Sequence, residues 1–120
     1  MWKILIVEDE QETREGIKKY LTRAFSCEVE EAADGDKALQ KITAARFDLI
    51  ILDIRLPGLS GIDILKKTKD KNLKFLIISG YDSLSVAEEA LNEGAQDYLT
   101  KPFSMDLLSQ KVKQLLGNAG

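Results

Sequence analysis

The sequence predicts a doubly wound α/β domain in which a parallel sheet of five strands carries helices on both faces. Short continuous apolar runs, in which polar residues do not alternate, are typical of strands covered on both faces. Stripes of apolar residues at helical spacing lie between these runs and after the last one. This alternation favours parallel strands joined by right-handed crossovers.

The first half of the chain contains three predicted strands and two helices. The strands are residues 4–7, a poorer segment near residues 28–32, and residues 49–52. The turn signal Asp34-Gly35 follows the second strand. The apolar stripes of the two helices are Ile17, Leu21, Ala24 and Phe25, and then Ala38, Ile42 and Ala45.

The second half contains two strands, residues 75–78 and 98–99, and three helices. Ser60 and Ser104 are candidate N-caps of the third and fifth helices, Asp106 suits a first helical turn, and Gly94 is well placed to end the fourth helix. The apolar stripes are Ile62 and Leu65, then Val86, Ala87, Ala90 and Leu91, then Leu108, Val112 and Leu115.

The composition is that of one folded domain over residues 1–120, with residues 117–120 expected to be a frayed tail or the start of a linker. Hydrophobic residues make up 44% and charged residues 31%, which suffices for a core. No apolar run approaches the ~20 residues of a membrane helix, and no signal-peptide pattern is present, so no membrane attachment is expected. The net charge of −3 argues against direct nucleic-acid binding.

Cysteine and histidine usage narrows the chemistry further. Cys27 is the single cysteine, which excludes an internal disulfide and fits a cytoplasmic protein. The chain has no histidine, which excludes Ser-His-Asp and Cys-His catalysis and histidine metal sites.

Polar residues follow four of the five predicted strands. Glu8 and Asp9 follow the first strand, Asp53 the third, Ser79 the fourth and Lys101 the fifth. Ligands of open parallel sheets bind beyond the carboxyl ends of the strands, so these side chains are expected to converge there.

The residue types favour a metal and a phosphoryl group. Neighbouring carboxylates repel each other unless a cation joins them, and oxygen ligands without histidine or thiolate favour Mg²⁺, with Mn²⁺ as an alternative. Lys101 and Ser79 could each bind a phosphoryl oxygen, and Gly80 would leave room for the group. The pattern predicts phosphoryl transfer to a carboxylate.

Four segments together resemble the response-regulator receiver family, and the resemblance covers essentially the whole chain. They are residues 6–10, 52–58, 78–80 and 97–103. The resemblance implies a flavodoxin-like sheet with strand order 2-1-3-4-5, an order that chemotaxis receivers exemplify. It also implies a cis peptide bond between Lys101 and Pro102.

The resemblance implies that Asp53 is the phosphoacceptor, phosphorylated by a histidine kinase or a histidine phosphotransfer protein. It also implies a two-component signalling domain that is no enzyme, apart from catalysing its own phosphorylation and dephosphorylation. The implied Mg²⁺ ligands are Glu8, Asp9, Asp53 and the backbone carbonyl of Arg55.

The resemblance assigns phosphoryl binding to Lys101 and a switch to Ser79 and Tyr98. Phosphorylation would draw the Ser79 hydroxyl inward, and Tyr98 would follow it. The surface of the fourth helix, fifth strand and fifth helix would then change, which would control an effector or allow a homodimer to form.

The chain also departs from the common family pattern. Many members carry Asp-Asp where this chain has Glu8-Asp9, and the longer Glu8 is expected to reach the metal through water. Arg55 and Tyr81, two residues past Asp53 and Ser79, are expected to overhang the cleft beside Gly80 and to shield the acyl phosphate from water.

Three alternative functions share parts of this pattern. A receiver-like interaction module that works without phosphorylation is disfavoured by the complete residue set. An aspartyl-phosphate phosphatase would need an acid at the position of Arg55. A flavodoxin-like cofactor binder would need a Gly-, Ser- and Thr-rich loop after the first strand, which here is acidic.

Overall fold

A five-stranded parallel sheet with the order β2-β1-β3-β4-β5 forms the centre of the protein, which confirms the predicted fold class and strand order. The structure is a computed structural model that describes residues 1–80 and 84–117. The strands are β1 (Trp2–Val7), β2 (Cys27–Ala32), β3 (Leu49–Asp53), β4 (Phe75–Ser79) and β5 (Asp97–Thr100).

In the described residues, five helices connect and flank the strands. They are α1 (Gln11–Ala24), α2 (Gly35–Ala44), α3 (Gly61–Lys67), α4 (Leu84–Asn92) and α5 (Met105–Leu116), with a 3₁₀ turn at Lys69–Lys71. The predicted caps are confirmed, since the hydroxyls of Ser60 and Ser104 accept hydrogen bonds from the backbone of the first helical turn. Within the described ranges, none of the helices has the length and apolar character needed to cross a bilayer.

The sheet buries both of its faces, as the continuous apolar runs predicted. In β1, Leu5 and Val7 belong to a core shared with α2, α3 and α4, whereas Ile4 and Ile6 belong to a core shared with α1 and α5. Every residue of β3 and β4 is buried. With both faces covered by apolar residues, the ends of the strands are where polar groups can gather.

The helix stripes differ from the prediction in three places. Ala24 is exposed, because α1 ends there and Phe25 turns back toward the sheet. Leu116 is buried at the end of α5, and Leu115 is only partly buried. In α3, Ile64 and Leu65 are buried and Ile62 is partly buried. The buried face of this helix is therefore wider than the predicted stripe of Ile62 and Leu65.

The loop from β3 to α3 rests directly on the start of α2. The backbone N–H of Gly35 donates a hydrogen bond to the carbonyl of Pro57 at 3.3 Å. A Cβ at position 35 would lie 2.0 Å from the carbonyl oxygen of Leu59. Glycine is therefore required here by close approach of two backbones. The contact supports the loop that follows Asp53.

Gly35→Ala should destabilise the protein, because the added methyl group must displace the backbone of the β3–α3 loop. We expect the free energy of unfolding to fall by about 1–3 kcal/mol in urea titrations. Gly16→Ala is the matched control, since a Cβ at position 16 of α1 would meet nothing within 4 Å. That control should gain about 0.5–1 kcal/mol from helix propensity. Equal stability changes in the two variants would contradict the steric argument.

Candidate functional site

The predicted site residues lie where β1, β3, β4 and β5 end, at one edge of the sheet. The parallel register pairs Val7 with Leu52, Asp53 with Ile78, and Ser79 with Thr100. Glu8 directly follows β1 and Lys101 directly follows β5. The register of the parallel strands is therefore enough to bring these strand ends together.

The Lys101 ammonium group is shared by two buried carboxylates. Its Nζ lies 2.7 Å from Oε1 of Glu8 and 3.0 Å from Oδ2 of Asp53. Glu8 is 0% exposed and Asp53 is 5% exposed. The other Asp53 oxygen, Oδ1, accepts a hydrogen bond from the backbone N–H of Arg55 at 3.0 Å. Both carboxylate oxygens of Asp53, the candidate nucleophile, therefore accept hydrogen bonds.

This cluster holds fewer positive than negative charges, and the pKa values of both Glu8 and Lys101 are raised. Burial and then the hydrogen bond and charge of Asp53 raise the pKa of Glu8, Lys101 opposes them, and the net result is a pKa of about 7. Burial works to lower the pKa of Lys101, but the hydrogen bonds and charges of Glu8 and Asp53 outweigh it and raise that pKa. A site in which one ammonium serves two carboxylates would be stabilised by a further cation.

The acidic residues fit a divalent metal. Glu8, Asp9 and Asp53 each place a carboxylate oxygen within 4.8 Å of the others, so the predicted convergence is confirmed. Asp9 is exposed at the mouth of the site, whereas the other two are buried. A set of oxygen donors with excess negative charge suits Mg²⁺ or Mn²⁺. One Glu8 oxygen is bonded to Lys101; that Glu8 reaches a metal through water stays a prediction.

The Ser79 hydroxyl is buried at the end of β4 and is available to bind a ligand. Its Oγ is buried and has no hydrogen-bond partner among the described residues. Its carbonyl accepts a hydrogen bond from the backbone N–H of Lys101 at 2.8 Å, which ties the two strand ends together. An unsatisfied buried hydroxyl is costly and indicates a group that is completed by a ligand. Gly80, which follows, is half-buried.

The remaining predicted residues surround this centre. Tyr98 is half-buried on β5 and packs against the same core as Ile77, its register partner. Arg55 is exposed immediately past Asp53 and the following Ile54. The peptide bond between Lys101 and Pro102 is cis, as predicted. Tyr81 lies outside the described residues.

Arg14 is a site neighbour that the sequence reasoning missed. Its guanidinium contacts the main-chain carbonyl of Glu8 and the carboxylate of Glu31. A signal was present, because position 14 lies on the same helical stripe as Ile17 and Leu21. A charged residue on a core-facing stripe needs a specific buried partner.

Comparison with known proteins agrees with this geometry. Residues 4–113 match the family model described as "Response regulator receiver domain". The chain is 38% identical to Sporulation initiation phosphotransferase F of Bacillus subtilis, over 95% of this chain and 93% of that protein. It is 36% identical to Response regulator MprA of Mycolicibacterium vanbaalenii, over 95% of this chain and 50% of that protein. The chain therefore spans nearly all of one relative and half of the other.

A solved structure is similar over its whole length. The crystal structure of a putative response regulator from Chloroflexus aurantiacus superposes with a TM-score of 0.90 at 33% sequence identity. The superposition covers 98% of each chain. The likeness extends to sequence as well as to fold.

Glu8→Gln should remove a pH dependence of stability. The pKa of Glu8 is about 7 in the folded protein against an ordinary value of 4.5, so the folded state binds more protons between these values. Metal-free wild type should therefore lose stability as the pH rises through this range. We expect the variant to match the wild type near pH 4, below the ordinary pKa of Glu8, and to exceed its free energy of unfolding by about 1–3 kcal/mol near pH 8.

Urea unfolding in the presence of a chelator across this pH range measures the effect. Glu31→Gln is the control, because the stability that Glu31 contributes depends on pH in the opposite direction. Burial works to raise the pKa of Glu31, but hydrogen bonds from Lys18 and Arg14 outweigh it and lower that pKa. The stability that Glu31 contributes should be lost as the pH falls through this lowered pKa. Parallel curves for wild type and Glu8→Gln would contradict the raised pKa of Glu8.

Proposed function

Because this chain belongs to the response regulator receiver domain family, we propose that it is a phosphoacceptor switch of a two-component phosphorelay, with Asp53 as the acceptor. Phosphorylation on an aspartate is general in this family. One observation carries the proposal: a buried carboxylate, an ammonium and an unsatisfied hydroxyl meet at one sheet edge. They belong to Asp53, Lys101 and Ser79.

The chemistry is a phosphoryl transfer from a phosphohistidine of a histidine kinase or a histidine phosphotransfer protein. An oxygen of Asp53 attacks phosphorus, the new O–P bond forms as the P–N bond breaks, and the bonding electron pair leaves with the imidazole nitrogen. Lys101 then exchanges a carboxylate contact for a phosphoryl oxygen, and the Ser79 hydroxyl donates to another. Attack of water on the acyl phosphate reverses the modification, so the domain acts on itself and is no enzyme toward other substrates.

Mg²⁺ completes the charge balance in this proposal. Bound Mg²⁺ would neutralise the negative charge of the phosphoryl oxygens, and Mn²⁺ could replace it. The proposed ligands are Glu8, Asp9, Asp53 and the backbone carbonyl of Arg55. The acidic cluster supports this role, since its three carboxylates lie close together and the Lys101 ammonium contacts only two of them among the described residues.

Phosphorylation becomes a signal through Ser79 and Tyr98. The added phosphoryl group carries about −1.5 to −2 charges and attracts the Ser79 hydroxyl. Tyr98 lies half-buried on the same side of the sheet as Ile77, so it can follow a movement of the β4 end. The surface of α4, β5 and α5 then changes, which controls an effector or allows a homodimer.

Arg55 and Tyr81 set the lifetime of the acyl phosphate in this proposal. Arg55 is exposed close to Asp53, where its side chain can restrict the approach of water. Tyr81 has the corresponding sequence position past Ser79. The rate at which phosphorylated Arg55→Ala and Tyr81→Ala lose their phosphoryl groups tests this role, and rates equal to wild type would refute it.

The relatives differ in how much of their length this chain covers. One relative of nearly equal length is named a phosphotransferase, whereas the chain covers half of MprA. We propose that this chain is a cytoplasmic phosphorelay domain that itself binds neither nucleic acid nor membrane. The alternative, an interaction module that works without phosphorylation, would not need Asp53, Lys101 and Ser79 at one edge.

Intact mass after incubation with a small phosphodonor tests the acceptor. We expect wild type to gain one phosphoryl group when Mg²⁺ is present and none when a chelator removes it. Asp53→Asn should gain none in either condition, because an amide oxygen is a poor nucleophile. Absence of any adduct, together with failure to bind beryllofluoride, would favour the phosphorylation-independent module.

The same phosphorylation reaction, carried out on wild type and Ser79→Ala, tests the switch. Ser79→Ala should still take up the phosphoryl group, because Asp53 and Lys101 are intact. Its backbone amides in α4 and β5 should lose the shift changes that phosphorylation causes in wild-type ¹H–¹⁵N spectra, since the hydroxyl that couples them is gone. Shift changes equal to those of wild type would show that the coupling runs elsewhere.

A further inference from the structure

Arg14 links the acidic loop after β1 to the neighbouring strand β2. Its Nη1 donates a hydrogen bond to the main-chain carbonyl oxygen of Glu8 at 2.9 Å, and its Nε donates to Oε1 of Glu31 at 3.1 Å. The Arg14 side chain is only 15% exposed. Lys18 Nζ donates to the other Glu31 oxygen at 3.1 Å, so the carboxylate that orients Arg14 is itself held.

The carbonyl that Arg14 binds belongs to the peptide unit between Glu8 and Asp9. A peptide unit is planar, so fixing its C=O direction also fixes the Asp9 N–H and limits the rotations that aim both side chains. The Glu8 N–H is fixed as well, because it donates to the carbonyl of Ala32 in β2 at 3.1 Å. The main chain on both sides of Glu8 is therefore tied to β2, directly or through Arg14.

We infer that Arg14 is a positioning residue for the divalent metal, which orients the Glu8–Asp9 peptide so that both carboxylates face the cation. The inference rests on the proposed Mg²⁺ site. Residues that hold metal ligands in place commonly change metal affinity by about 10–100-fold when they are lost. Arg14 does this through the backbone, which neither acidic side chain can control alone.

A purely electrostatic role for Arg14 predicts the opposite effect. A guanidinium close to the cluster repels another cation, so removing its charge alone would strengthen Mg²⁺ binding. Removing its hydrogen bond frees the Glu8–Asp9 peptide to rotate and weakens Mg²⁺ binding. The sign of the change in affinity separates the two roles.

Calorimetric titration with MgCl₂ of wild type, Arg14→Met and Lys18→Met tests the inference. Lys18→Met is the matched control, because it removes the same charge and a hydrogen bond to Glu31 but no contact with Glu8. We expect Arg14→Met to bind Mg²⁺ about tenfold more weakly or worse. Lys18→Met should stay within about twofold of wild type, because its exposed charge is screened.

Arg14→Lys is the conservative variant and the substitute if Arg14→Met does not fold. It keeps the charge, but an ammonium lacks the guanidinium fork that reaches the Glu8 carbonyl and Glu31 together. Its Mg²⁺ affinity should fall below that of wild type although its charge is unchanged, because the loss then comes from the missing hydrogen bonds. Thermal unfolding of each metal-free variant, followed by circular dichroism, identifies the variants that fold.

The outcomes separate this inference from the proposed function. If wild type binds Mg²⁺ and the folded Arg14 variants bind it equally well or more tightly, the positioning role is overturned and the proposed function stands. If wild type itself does not bind Mg²⁺, both the proposed metal site and the role of Arg14 are overturned.

Discussion

The sharing of one ammonium by two buried carboxylates is the interaction on which the site depends. Lys101 joins the ends of β1, β3 and β5 by contacting Glu8 and Asp53 at once. Two carboxylates buried side by side would repel strongly without it. The same contact leaves one positive charge for two acids, a deficit that the proposed Mg²⁺ would make up. The contact that holds the strand ends together is therefore also the contact that leaves the site short of positive charge.

The fold confines this chemistry to one edge of the sheet. Both faces of β3 and β4 are buried in apolar cores, so a polar group inside the strands would lose its water without gaining a partner. At the strand ends, the loops supply backbone partners such as the Arg55 N–H that holds Asp53. The helices then act as supports: α2 holds the loop after β3, and α1 holds the loop after β1.

Much of this arrangement could be predicted from the sequence, because its signals are local. Continuous apolar runs predicted β1, β3 and β4, whereas the signals for β2 and β5 were weaker. The polar residues after the strands pointed to Asp53, Ser79 and Lys101, which the structure places at one edge of the sheet. The strand order came from family resemblance, since periodicity says nothing about which strands are neighbours. The double contact of Lys101 depends on the length of Glu8 and on three-dimensional distances. The place of Arg14 on the apolar stripe of α1 was a signal of a buried partner, but the contact with the main-chain carbonyl of Glu8 leaves no mark in a sequence.

The close approach at Gly35 also limits how the chain can be lengthened. Surface loops usually accept inserted residues, because their ends can move apart without disturbing the core. The loop of residues 54–60 is pressed against the first turn of α2, with no room for even one methyl group at Gly35. An insertion here would push the Leu59 carbonyl into that turn and displace the backbone that follows Asp53. The spacing between Asp53 and α3 is therefore a fixed dimension of the protein, and peptide tags or reporter domains belong in other loops.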